Sequence, residues 1–77
     1  MKIRATTIMS YPGLESDDPR VSCRLEISWD DLLWLNLGVD HKSETEWLML
    51  VSLMVLGARQ ADVEFIYEDL RDKKIVA

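Results

Sequence analysis

The feature that most constrains this chain is its longest apolar segment, which carries hydrophobic side chains on two opposite sides. At about 100° per residue, a helix from Glu44 to Ala61 presents two separate apolar stripes. The broader stripe comprises Trp47, Leu50, Val51, Met54, Val55 and Ala58, and the narrower stripe comprises Met49, Leu53 and Leu56. A chain of 77 residues buries only about 60% of the surface that it exposes when unfolded. Such a chain seldom covers both stripes, so the narrower one indicates a surface for a partner.

The start of this helix is marked by the sequence Ser43-Glu44-Thr45-Glu46. The Ser43 hydroxyl can accept a hydrogen bond from the amide of Glu46, while the Glu46 carboxylate can accept one from the amide of Ser43. This reciprocal cap predicts a helix over residues 44–60.

The composition is typical of a small soluble globular protein. An apolar fraction of 48% is enough to offset the conformational entropy of folding. The net charge of −5 disfavours direct binding to nucleic acid or to anionic lipid, because both ligands reward clustered basic residues. A single cysteine, no signal-peptide pattern and no apolar run of about twenty residues together predict a cytoplasmic protein that does not cross a membrane.

Two strands are predicted in the first third of the chain. Residues 2–9 and residues 21–28 alternate between apolar and polar side chains, as expected of strands with one face on a core. Residues 10–20 contain both prolines and several acidic residues, which indicates a solvated loop joining the strands as a hairpin.

Three helices are predicted after the hairpin. Residues 29–37 follow a possible cap at Ser28 and end at Gly38, residues 44–60 form the long helix, and residues 62–73 fit a helical face. The last segment also alternates like a strand at its start, but the helix is favoured because acidic residues precede basic ones. The predicted fold is α+β, a single domain over residues 1–77 with an N-terminal antiparallel β-hairpin followed by three helices.

No arrangement of residues in the sequence predicts catalysis, a cofactor site or a metal site. His41 stands near Asp40 and Glu44, but no second imidazole or thiolate completes a metal shell. Cys23 lies on the inward strand face and is interpreted as a small buried hydrophobe. We therefore expect a protein that is not an enzyme.

The leading functional hypothesis is a small protein–protein interaction module with a regulatory or inhibitory role. It acts as a homodimer or by occupying the surface of a partner protein, through Trp34, Met49, Leu53 and Leu56. The competing structural interpretation is that the chain's own sheet or helices cover the narrower stripe.

Two alternative functions use the same sequence differently. One is a phage-type acidic inhibitor whose carboxylates imitate a nucleic-acid backbone and block a DNA- or RNA-binding protein. Its candidate residues are Glu15, Asp17, Asp18, Glu64, Glu68, Asp69 and Asp72. The other is a structural subunit or antitoxin-like partner, which would use the same apolar surfaces as the leading hypothesis.

Overall fold

The computed structural model describes residues 1–11 and 19–71, which form a mixed four-stranded sheet and one long helix. The elements in chain order are β1 (Lys2–Tyr11), β2 (Arg20–Ser28), β3 (Leu35–Ser43), α1 (Glu44–Ala61) and β4 (Glu64–Asp69). The strand order across the sheet is β3-β2-β1-β4. The prediction of a hairpin followed by three helices is therefore wrong, because two of the predicted helices are replaced by strands of the sheet.

The predicted hairpin is present as the pair of β1 and β2. The two strands are antiparallel, with Ala5 opposite Leu25 and Thr7 opposite Cys23. Their alternation places these four residues on the same face of the sheet, where Ala5 and Cys23 belong to the hydrophobic core. The acidic segment between the strands lies largely outside the described residues.

The predicted helix over residues 29–37 is wrong, although the predicted cap is present, because the Ser28 hydroxyl accepts a hydrogen bond from the amide of Asp31 at 3.0 Å. The Asp30 carboxylate accepts hydrogen bonds from the amides of Leu32 and Leu33 at 3.0 and 3.1 Å. Asp31, however, has a φ of 67°, and a left-handed residue stops a right-handed helix from extending. The chain makes a capped turn and then enters β3 as the antiparallel neighbour of β2.

Gly38, predicted to end that helix, instead lies within β3. Leu25 pairs with Gly38 while Glu26 pairs with Asn36, so Leu37 is the extra residue of a β-bulge. The φ of Gly38 is 129°, a conformation that residues with a Cβ rarely adopt, which explains glycine at this position.

The predicted third helix over residues 62–73 is also wrong within the described part of the chain. Asp62 ends α1 in the left-handed conformation with a φ of 56°, and Glu64–Asp69 then forms β4. β4 lies parallel to β1, and its Phe65 packs against the core. The alternation of Val63, Phe65 and Tyr67 therefore indicates the correct structure. Sheet pairing and core contact stabilise the strand more than the local charge pattern stabilises a helix.

Helix α1 begins where the sequence predicts and crosses from one sheet edge to the other. The Ser43 hydroxyl accepts from the amide of Glu46 at 3.1 Å. β3 and β4 are opposite edges, about 14 Å apart, and a helix of 18 residues is about 27 Å long. The connection can therefore cross β2 and β1, and it buries Trp47 and Val51 against the sheet.

Two linked hydrogen bonds, one buried and one partly buried, join the helix to two strands. The Trp47 indole Nε1 donates to Thr7 Oγ1 at 2.7 Å, and Thr7 Oγ1 lies 2.7 Å from the Tyr67 hydroxyl. Both Trp47 and Thr7 are buried. Because an unpaired polar group in the core is costly, these two hydrogen bonds specify how α1, β1 and β4 fit together.

Replacing Thr7 with Val is expected to lower the free energy of unfolding by about 1–3 kcal/mol, because the buried Trp47 indole loses its acceptor. Thr6 offers a matched control, since it is fully buried but its hydroxyl has no hydrogen-bond partner among the described residues. Thr6→Val is expected to be neutral or stabilising. Urea titration followed by far-UV circular dichroism, at one protein concentration, measures both changes. Equal losses in the two variants would contradict the prediction.

Candidate interaction surface

The sheet is wider than the helix that packs on it. Four strands form a layer about 19 Å wide, whereas a helix with its side chains is about 10–12 Å across. One helix therefore covers only part of one sheet face. Among residues 1–11 and 19–71, no further element lies over the outer side of α1.

The narrower stripe predicted on α1 is exposed in the structure. Met49, Leu53 and Leu56 are 62%, 63% and 57% exposed. The broader stripe faces the sheet, where Trp47 and Val51 are buried. The structure thus brings three of the four predicted contact residues together on one side of the helix.

Leu50 extends this exposed surface toward β3. The helical wheel predicts it on the core side, but it lies at the border between the two stripes and is 40% exposed. We define the apolar arc as Met49, Leu50, Leu53 and Leu56. Three of these residues line a groove of about 290 Å³ together with Lys42 and Glu46.

A second groove, of about 280 Å³, lies between α1 and β3. Trp47 contributes from the helix, and its other apolar lining residues are Cys23, Leu25, Leu37 and Val39. Lys42 lines both grooves, and its ammonium group lies 3.2 Å from the Asp40 carboxylate in the second one. The apolar arc is therefore adjacent to the open side of β3.

The exposed apolar residues of β3 were missed by the sequence reasoning. Leu35, Leu37 and Val39 are all exposed on this edge strand, and no strand among residues 1–11 and 19–71 pairs with its outer backbone groups. Their spacing of two residues is a strand signal in the sequence, but Leu35 and Leu37 fell within the helix predicted over residues 29–37. The preceding connection exposes three more large apolar side chains, Trp29, Leu32 and Leu33.

Trp34, the fourth predicted contact residue, lies away from the apolar arc. Its ring stacks on the Arg4 guanidinium, with the Arg4 Cζ 4.1 Å from the ring centroid. Arg4 alternates with the core residue Ala5, so it projects from the sheet face opposite α1. The structure therefore places Trp34 on the polar face of the sheet.

Ion pairs cover this polar face. The Arg4 Nε donates to Glu26 Oε1 at 3.0 Å, and the Arg24 Nε lies 3.3 Å from the same oxygen. The hydrogen bond from Arg4 holds the pKa of Glu26 below its usual value, against the opposing effect of burial. These charged side chains on the polar face therefore have their ionic partners within the chain.

The described residues proposed for an acidic decoy either have basic partners within the chain or are half-buried. Glu64 pairs with Lys2 at 3.0 Å, and Asp69 makes a two-oxygen contact with Arg71. Glu68 is half-buried. The remaining candidates, Glu15, Asp17, Asp18 and Asp72, lie outside the described residues.

The two residues considered for chemistry have other surroundings. His41 lies on β3, and its Nδ1 atom is 3.0 Å from the Tyr11 hydroxyl and 3.4 Å from the Ser22 hydroxyl. Cys23 is buried, and burial raises the pKa of its thiol. The thiol is therefore protonated near neutral pH, which is not the state of a nucleophile.

The comparisons with known proteins found no match: no family model, no curated protein and no solved structure is significantly similar to this chain. Over the described ranges, no helix combines the length and the apolar character needed to cross a bilayer.

The Glu26 pair predicts a pH dependence of stability. Because the folded-state pKa of Glu26 is lowered, its contribution is present above the unfolded value of about 4.3 and is lost as pH falls through the folded value. Urea titrations at about pH 7 and pH 3 should show a smaller acid loss for Glu26→Gln than for the unmodified protein. The variant should also be the less stable of the two at neutral pH, because Arg4 and Arg24 lose their anionic partner. Identical acid losses would contradict this assignment.

Proposed function

We propose that this protein is a protein–protein interaction module that binds through the apolar arc of α1, with a regulatory or inhibitory role exerted by occupying a polypeptide surface. The observation that carries the proposal is the exposure of Met49, Leu53 and Leu56 on a helix whose other side is already packed. Solvent-exposed apolar patches of this kind mark interaction sites in small soluble proteins.

The position of the arc supports this proposal over the interpretation that the chain buries its own second stripe. None of the described elements packs on the outer side of α1, and the sheet lies against Trp47 and Val51. The groove beside Leu50 and Leu53 has apolar walls with Lys42 and Glu46 as charged neighbours. An apolar centre with a charged rim is the usual composition of a protein-binding site.

The arrangement of charges favours this proposal over the acidic decoy. A decoy needs unpaired carboxylates spread over one surface to attract a basic cleft. Two of the described candidates, Glu64 and Asp69, already have basic partners within the chain. The apolar arc, by contrast, has no partner in the described structure.

The test compares two substitutions of the same kind on opposite flanks of α1. Leu50 and Leu48 are both 40% exposed, but only Leu50 belongs to the apolar arc. Leu50→Glu is expected to abolish capture of the bound polypeptide, because it places a charge in an interface that must lose its water. Leu48→Glu is expected to retain capture. Quantitative mass spectrometry of the material co-purifying with each tagged variant measures the difference, and far-UV circular dichroism checks that both remain folded.

The proposal fails if the unmodified protein and Leu50→Glu retain the same set of polypeptides, including untagged copies of this chain. It also fails if Leu48→Glu abolishes capture as fully as Leu50→Glu, since the binding would then not depend on the arc.

A further inference from the structure

Gly57 lies in the interior of α1, and the fold of the chain does not require a glycine at this position. Glycine in a helix interior costs about 1 kcal/mol relative to alanine. A Cβ built at Gly57 would meet no atom within 4 Å, and the residue has no positive φ. Neither crowding nor backbone conformation therefore explains why a side chain is absent here.

The position of Gly57 on the helix points to a contact from outside. It lies four residues after Leu53 and seven after Leu50, so the three residues share one side of α1. On that side, Gly57 forms a notch beside the exposed side chains of the apolar arc. A missing side chain in an exposed apolar stripe allows the backbone of another helix to approach closely.

We propose that the occupant of this surface is a second copy of the chain, with the two α1 helices packed antiparallel across a two-fold axis near Leu53. Leu50 of each copy enters the notch at Gly57 of the other. This inference rests on the proposed function and names the partner that the arc binds.

The spacing of the residues makes the surface complementary to itself. Leu50 and Gly57 lie three residues before and four residues after Leu53. A two-fold axis near Leu53 therefore places the large residue of one copy opposite the small residue of the other, in both directions. An isologous interface requires this reciprocity.

The helix dipoles agree with the antiparallel direction, because an antiparallel pair brings the positive end of one helix dipole to the negative end of the other.

The exposed area is of the size that a stable dimer needs. A standard homodimer interface buries about 800 Å² per partner, of which roughly 500 Å² is apolar. The four residues of the apolar arc, which are 40–63% exposed, present on the order of 400 Å². Leu37, which is 64% exposed and lines the groove between α1 and β3, can supply the rest.

The decisive variant is Gly57→Ala, because the inference predicts opposite effects on the folded chain and on the dimer. Sedimentation equilibrium should find the unmodified protein at twice its chain mass of 8.9 kDa. Gly57→Ala should raise the dissociation constant at least tenfold, since the added methyl group occupies the notch twice per dimer. Added to the Leu53→Glu variant, which is expected to be monomeric, the same change should raise the thermal midpoint, because alanine favours the helix.

Cysteine cross-linking tests the position of the axis. Leu53→Cys should form a covalent dimer with oxidised glutathione as the oxidant, whereas Leu48→Cys, on the other flank, should not. Cys23 is buried and common to both variants, so it provides the internal background.

A strictly monomeric protein at millimolar concentration would overturn this inference. So would a Gly57→Ala dimer as tight as the unmodified one, or equal cross-linking of the two cysteine variants. The proposed function is tested separately. If the protein is a monomer that captures a different polypeptide, and Leu50→Glu abolishes that capture, the proposed function stands and only the identity of the partner is wrong.

Discussion

The structure depends on the buried contact between Trp47 and Thr7. Thr7 lies on a central strand, and its hydroxyl also meets Tyr67 of the neighbouring parallel strand, so one side chain joins three elements. The Trp47 indole and the Thr7 hydroxyl are removed from water and satisfy one another, which makes alternative placements of the helix unfavourable. The broad stripe of α1 is thereby directed to the sheet, and the apolar arc is directed outward as a consequence of the same contact.

The two faces of the sheet are covered in different ways. On one face, Val21, Cys23 and Trp47 form the compact cluster that holds the helix. On the other face, the long side chains of Arg4 and Glu26 cover the strands by pairing with each other, and no second layer of helices is needed. The described part of the chain therefore folds with one helix, and exposed apolar side chains remain on the arc, on β3 and on the connection that precedes β3.

The sequence predicted the features that depend on neighbouring residues and missed those that depend on distant pairing. Helix α1 was predicted because Ser43 caps it and its apolar spacing is local, and the outward position of Met49 and Leu53 follows from that spacing. The strands β3 and β4 were misassigned because their partners lie far away in the chain. The position of Trp34 also depends on a distant residue, since its contact is Arg4, on the other side of the sheet from α1.

The parallel pairing of β1 with β4 has a consequence for the order of folding. Thr7 and Tyr67 are 60 positions apart, so closing this part of the sheet requires a large loss of chain entropy before any contact is gained. The antiparallel strands β1, β2 and β3 have closer partners and can associate first. The free side of β1 then remains an unpaired strand edge until β4 arrives, and during that interval the half-formed sheet is open to pairing with other chains.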